Sequence, residues 1–169
     1  MKRKGVFNKR AQETMSIPFG IIFSIFLIII FIIVAFYGIN HFLSIGDCAK
    51  VGGFYTDLQK QVDNVWESQA SDNNSFDINL PSGTEKVCFY NSSAPYTQNA
   101  KTDYSKIQNN DPEHNLFILP SGKACDMPSY EIKHIDLVKI TAVRNPYCVD
   151  VSQQLKIKKD FYDKYVTIQ

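Results

Sequence analysis

Residues 17–42 read IPFGIIFSIFLIIIFIIVAFYGINHF, and of the sixteen positions from 21 to 36 fourteen are Ile, Leu, Phe or Val, broken only by Ser24 and Ala35. No charge interrupts them. Each such side chain contributes about −0.3 to −0.6 kcal/mol near the centre of a membrane helix, so insertion of the run is favoured by about 4 to 8 kcal/mol. At about 1.5 Å rise per residue, a helix over residues 17–39 extends roughly 35 Å and clears a hydrocarbon core of about 30 Å. A helix buried in a soluble domain is usually apolar along one stripe, not on every face. Residues 17–43 are therefore read as a transmembrane helix.

The flanks give that helix a direction. Lys2, Arg3, Lys4, Lys9 and Arg10 against Glu13 leave +4 on the first 13 residues, so a total of +1 leaves −3 on the remainder. Basic residues beside a first span are retained in the cytoplasm. This makes residues 1–16 a cytoplasmic leader and residues 44–169 one extracytoplasmic domain, held at the cell membrane with the bilayer as its first partner. Ser16 and Pro18 suit the start of the helix. Asn40 and His41, beside Phe36, Tyr37 and Phe42, close it at the outer interface. The apolar run exceeds the roughly 7 to 15 residues of a secretory signal core and no small-residue cleavage site follows it, so the anchor is expected to be retained.

Beyond the span, the slightly acidic balance and the lack of a Lys/Arg cluster argue against nucleic acid as a partner. All four cysteines, Cys48, Cys88, Cys125 and Cys148, fall on the exported side. An even number in an oxidising space points to two disulfides, with reduced buried thiols as the alternative. Their gaps of 40, 37 and 23 residues contain no C-x-x-C pair, which speaks against a metal site. Of the three pairings open to four cysteines, Cys48 with Cys88 and Cys125 with Cys148 is favoured, because each then ties neighbouring parts of the chain.

Val51, Phe54, Tyr55, Leu58, Val62, Val65 and Trp66 recur at helical spacing, opposite Asp57, Lys60, Gln61, Asp63, Asn64 and Glu67. That is an amphipathic helix packed on something. Gly46, Gly52 and Gly53 precede or open it and predict a bend between the two helices. After a polar loop, residues 76–80 alternate, residues 81–84 supply a turn and residues 86–90 follow, which predicts a β-hairpin. Residues 91–113 read as a long surface excursion in which only Tyr104 and Ile107 stand out. Residues 116–119 are a buried strand, residues 132–143 a second candidate, and residues 147–151 with 155–158 a second hairpin; the run 161–168 is a strand or a helical turn leading into one. The class is α+β: a transmembrane helix, an amphipathic helix, then a mostly antiparallel sheet.

Arg10-Ala11-Gln12, just ahead of a long apolar helix, resembles the prepilin-type signal of archaeal type IV pilin-like proteins. That resemblance implies cleavage between Ala11 and Gln12, retention of the apolar helix as the start of the mature subunit, and other membrane or pilus-like subunits as partners. It also implies a first helix apolar in its first half and amphipathic in its second, buried against a β-rich head. Where the family commonly has Glu at the fifth mature position this chain has Ser16, and Glu13 stands second. The arrangement is also similar to small single-span archaeal surface proteins. The functional expectation is a structural or interaction protein, a pilin-like subunit or accessory of a surface assembly; the alternative is an anchored surface module that binds without polymerising.

An envelope enzyme has less to support it. There is no G-x-S-x-G, H-E-x-x-H, phosphate loop or dinucleotide fingerprint. His114 lies in the turn-like DPEHN and His134 beside Asp136, neither with a nucleophile motif or metal spacing. No catalytic residue, cofactor or metal is therefore assigned. The triplets Asn73-Asn74-Ser75 and Asn91-Ser92-Ser93, both in expected exported loops, are candidate N-glycosylation sites at Asn73 and Asn91.

Overall fold

The computed structural model describes residues 16–68, 72–109 and 111–169. The chain divides into two units, residues 1–44 and residues 45–169. Helix α1, Ser16–Glu67, runs through both. No interruption of the helix falls at Gly46, Gly52 and Gly53: all three are helical. A glycine weakens a helix by about 1 kcal/mol relative to alanine and does not by itself break one, and packing of the following turns outweighs that cost.

In the first unit the apolar side chains of α1 are exposed all round; Phe19, Phe31 and Tyr37 are 72 %, 69 % and 75 % accessible. By length and composition this is a helix able to cross a membrane.

In the second unit the same helix is amphipathic. Val51, Phe54, Tyr55, Leu58, Val62 and Val65 are buried, and their spacing places them on one stripe. They share a core with strands of two antiparallel sheets. The three-stranded sheet has the order β1-β6-β7, from Asp72–Asp77, Gln154–Lys159 and Thr167–Ile168. The four-stranded sheet has the order β4-β3-β2-β5, from Ser129–Tyr130, Leu116–Leu119, Lys86–Phe89 and Tyr147–Asp150. The expected α+β class is what the chain adopts.

Both predicted hairpins are corrected. β1 pairs with β6, Phe76 opposite Leu155, while β2 pairs with β3 and β5. Consecutive strands on either side of residues 78–85, and again on either side of residues 151–153, belong to different sheets. Alternation fixes which face of a strand is buried but carries nothing about its neighbour. The segment 132–143 is not a strand either. The Asn115 side chain holds Ile132 by both backbone groups, at 2.8 and 2.9 Å, and His134 sits at φ 64. Asp136 then caps the short helix α3, Leu137–Ile140, by accepting from the Lys139 N–H at 3.0 Å. Left-handed backbone cannot continue a strand.

β3 is buried at all four positions because the four-stranded sheet is covered on both faces. Val87, Phe89, Leu116 and Ile118 face α1 in the main core, whereas Cys88, Phe117 and Leu119 meet Ile107 in a smaller cluster on the other side. Ile107 closes helix α2, Lys101–Ile107, so the supposed surface excursion supplies a second layer. Two buried polar residues fasten it. Asp103 accepts from Arg144 at 2.6 Å and from Lys86 at 3.4 Å, tying α2 to the sheet. Asn145 donates through its amide to the carbonyls of Asn91, Ala94 and Pro95 at 3.0 to 3.2 Å, and accepts from the Asn91 N–H at 3.0 Å.

Candidate functional site

The cysteines are fully paired, but not as expected: the bridges are Cys48 to Cys125 and Cys88 to Cys148. Cys88 and Cys148 are directly opposite on β2 and β5, strands that lie side by side although 60 residues apart. Cys48 stands on α1, and Cys125, at φ 54, turns toward it from the loop after β3. Sequence distance misled the pairing because the sheet order, not chain order, sets which thiols meet. The two bridges interleave along the chain, each enclosing one end of the other.

The expected processing site at Ala11 and Gln12 lies outside the described residues. Asn73 is on strand β1, exposed and opposite Lys158, not in a loop. Asn91 opens a turn in which its side-chain oxygen accepts from the Ser93 N–H at 3.0 Å. Ser121, Gly122 and Lys123 form one turn of 3₁₀ helix after β3.

The histidines do not converge with Asp136. His134 Nδ1 lies 2.8 Å from Asp63 Oδ1, and its ring stacks on Trp66 with centroids 3.8 Å apart and planes 5° off parallel. Trp66 in turn donates to the Lys164 carbonyl at 3.1 Å, and the Gln59 side chain accepts from the Lys133 N–H at 2.8 Å. The group clamps two loops onto the last turns of α1. His114 Nδ1 meets Ser129 Oγ at 2.9 Å, but Asp111 Oδ2 is 3.9 Å from Nε2, beyond the reach at which a carboxylate orients an imidazole for nucleophilic catalysis. No group of three or more metal-ligating side chains occurs among the described residues.

A concave feature that sequence reasoning missed lies over the smaller cluster. Tyr90, Ser92, Tyr104, Ile107, Gln108, Asp111, Pro112 and Phe117 line a cavity of about 120 Å³. Ile107 and Phe117 are buried. Tyr90 and Tyr104 stand with ring centroids 5.6 Å apart, and Tyr96 stacks on Tyr104 at 4.5 Å, 8° from parallel. Burial first, then the charge and polar influence of the neighbouring Tyr104 phenol, pushes the Tyr90 phenol up, so it remains a neutral donor and acceptor. The only signal in the sequence was Tyr104 and Ile107 at one helical turn; the partners come from the segment that follows β2 and from β3.

No protein-family model, curated protein or solved structure matches the chain.

Proposed function

We propose that the chain is a single-pass, membrane-anchored extracytoplasmic protein of structural or interaction type, not an enzyme, and that it serves as a pilin-like subunit or accessory of a surface assembly. Helix α1 carries the proposal. Its first part exposes Ile, Phe and Leu on every side, while Val51, Phe54, Tyr55, Leu58, Val62 and Val65 of the same helix form the core of a β-rich domain. An apolar surface of that kind is stable in lipid or against identical helices, and not in water. The two bridges support an oxidising location for residues 45–169, and the +4 leader supports a cytoplasmic N-terminus.

Mass spectrometry of the mature protein tests the pilin-like reading. A first residue of Gln12 is expected, and an intact leader overturns it. Protease digestion of intact cells tests the orientation: the domain is expected to be cut or shed from outside, and protection of residues 45–169 reverses the topology. A second reading, an anchored module that binds without polymerising, is favoured by the aromatic cavity of the outer layer. Antibody labelling of the cell surface separates the two, since decorated filaments reject the module and diffuse label rejects the subunit.

A further inference from the structure

The cavity over α2 has a distinctive division of chemistry. Its floor is apolar, Ile107 and Phe117, and its walls are the rings of Tyr90 and Tyr104. Its rim carries a hydroxyl from Ser92, an amide from Gln108 and a carboxylate from Asp111. Adjacent residues of one loop hold both walls in place: Arg144 grips α2 through Asp103, and Asn145 grips the 91–95 turn through three carbonyls. Such fixed walls lower the cost of ordering a site when a ligand arrives.

We propose that this cavity binds one pyranose ring of a neutral glycan. A pyranose presents an apolar face of C–H bonds and an edge of hydroxyls that both donate and accept. The floor and tyrosine rings match the face, and the rim supplies donors and acceptors for the edge. Among the described lining residues the acidic side chain is Asp111, whose carboxylate repels phosphates and uronates and accepts strongly from hydroxyls. Part of its capacity is engaged already, since Oδ1 accepts from the Glu113 N–H at 3.0 Å. A cavity of about 120 Å³ holds a single ring. Tyrosines with a carboxylate also suit an ammonium group. An ammonium only donates, so it leaves the Ser92 O–H and the Gln108 N–H groups without an acceptor, whereas a sugar hydroxyl both donates and accepts.

The test is a titration of the intact chain in detergent micelles, followed by NMR, with methyl glycosides of glucose, galactose, mannose and N-acetylglucosamine. A lysine derivative blocked at both backbone ends serves as the cationic probe. At least one glycoside is expected to give saturable shifts at Tyr90, Tyr104 and Gln108, with a Kd on the order of 1 to 10 mM. Gln108→Ala, an exposed change, should weaken it about fivefold, the loss of one hydrogen bond, with the unliganded Tyr90 signals unmoved. Tyr104→Ala should abolish it and Tyr104→Phe should retain most of it. The proposal is overturned by no saturable shift with any glycoside at about 100 mM, by tighter binding of the lysine probe, or by shifts that persist unchanged in both Gln108→Ala and Tyr104→Ala. The measurement requires neither anchoring nor polymerisation, so failure here leaves the membrane and assembly readings standing.

Discussion

Tyr55 donates its hydroxyl to the Met127 carbonyl at 2.8 Å from a fully buried position on α1. Tyr55→Phe leaves that carbonyl unpaired and should cost about 1 to 2 kcal/mol, read as a lower denaturation midpoint at neutral pH. Burial pushes the Tyr55 phenol above its ordinary value. The folded pKa therefore exceeds the unfolded one. The stabilisation is complete below the unfolded pKa, about 10, and drains away as pH rises from there through the folded value. The Tyr55→Phe variant should show a shallower alkaline loss than the parent, and an identical slope refutes the assignment. Helical spacing alone turned Tyr55 inward, but nothing in the sequence pointed to Met127. Asn145 was wholly illegible: one side chain serving four backbone groups depends on how residues 91–95 fold back. Asn145→Ala should cost more than Tyr55→Phe, about 3 kcal/mol, because several buried groups lose their partner together.

The helix and the buried strand were readable because their signal is periodic and local, and the sheets were not because pairing is neither. Leu116 to Leu119 announced burial on both faces, yet the layer responsible, α2, hid in a polar stretch whose only marks were Tyr104 and Ile107. Asp136, three residues ahead of Lys139, is a capping signal that the imperfect alternation of residues 132–143 obscured. Gly53 was expected to loosen α1, but it is helical, and a Cβ placed there meets nothing within 4 Å. Gly53→Ala should therefore stabilise the domain by about 0.5 to 1 kcal/mol, seen as a rise in Tm; a fall means that the helix needs freedom there. The bridges make a sharper test. Cys48→Ser and Cys125→Ser should destabilise alike, by about 2 to 4 kcal/mol, and the double replacement should cost little more than either. Additive losses exclude the pairing of those two.

At the scale of the whole chain, the proposed membrane residence rests on the exposed apolar turns of α1, which are long and apolar enough to span a bilayer. Insertion is favoured by about 4 to 8 kcal/mol, and an arginine at the centre of a span costs about 2.5 to 3.5 kcal/mol on the same scale. Ile25→Arg with Ile32→Arg should consequently tip the balance, moving the protein from the alkali-resistant membrane fraction to the soluble or aggregated one. Retention in the membrane means that something other than this helix holds it there.

Interleaved cross-links also decide how the domain responds to mechanical load. A pull entering through α1 reaches Cys48 within the first turns of the domain and passes across the bridge to Cys125, so residues 49–124 lie in a shielded loop. Cys88 is tied to Cys148 within the remaining path and adds no length. Held at Cys48 and Gln169, the oxidised domain can pay out only the residues beyond Cys125, a contour of about 150 Å, against about 400 Å once reduced. The core turns of α1 and the first three strands lie off the loaded path and cannot be drawn out along it while the Cys48 to Cys125 bridge remains closed.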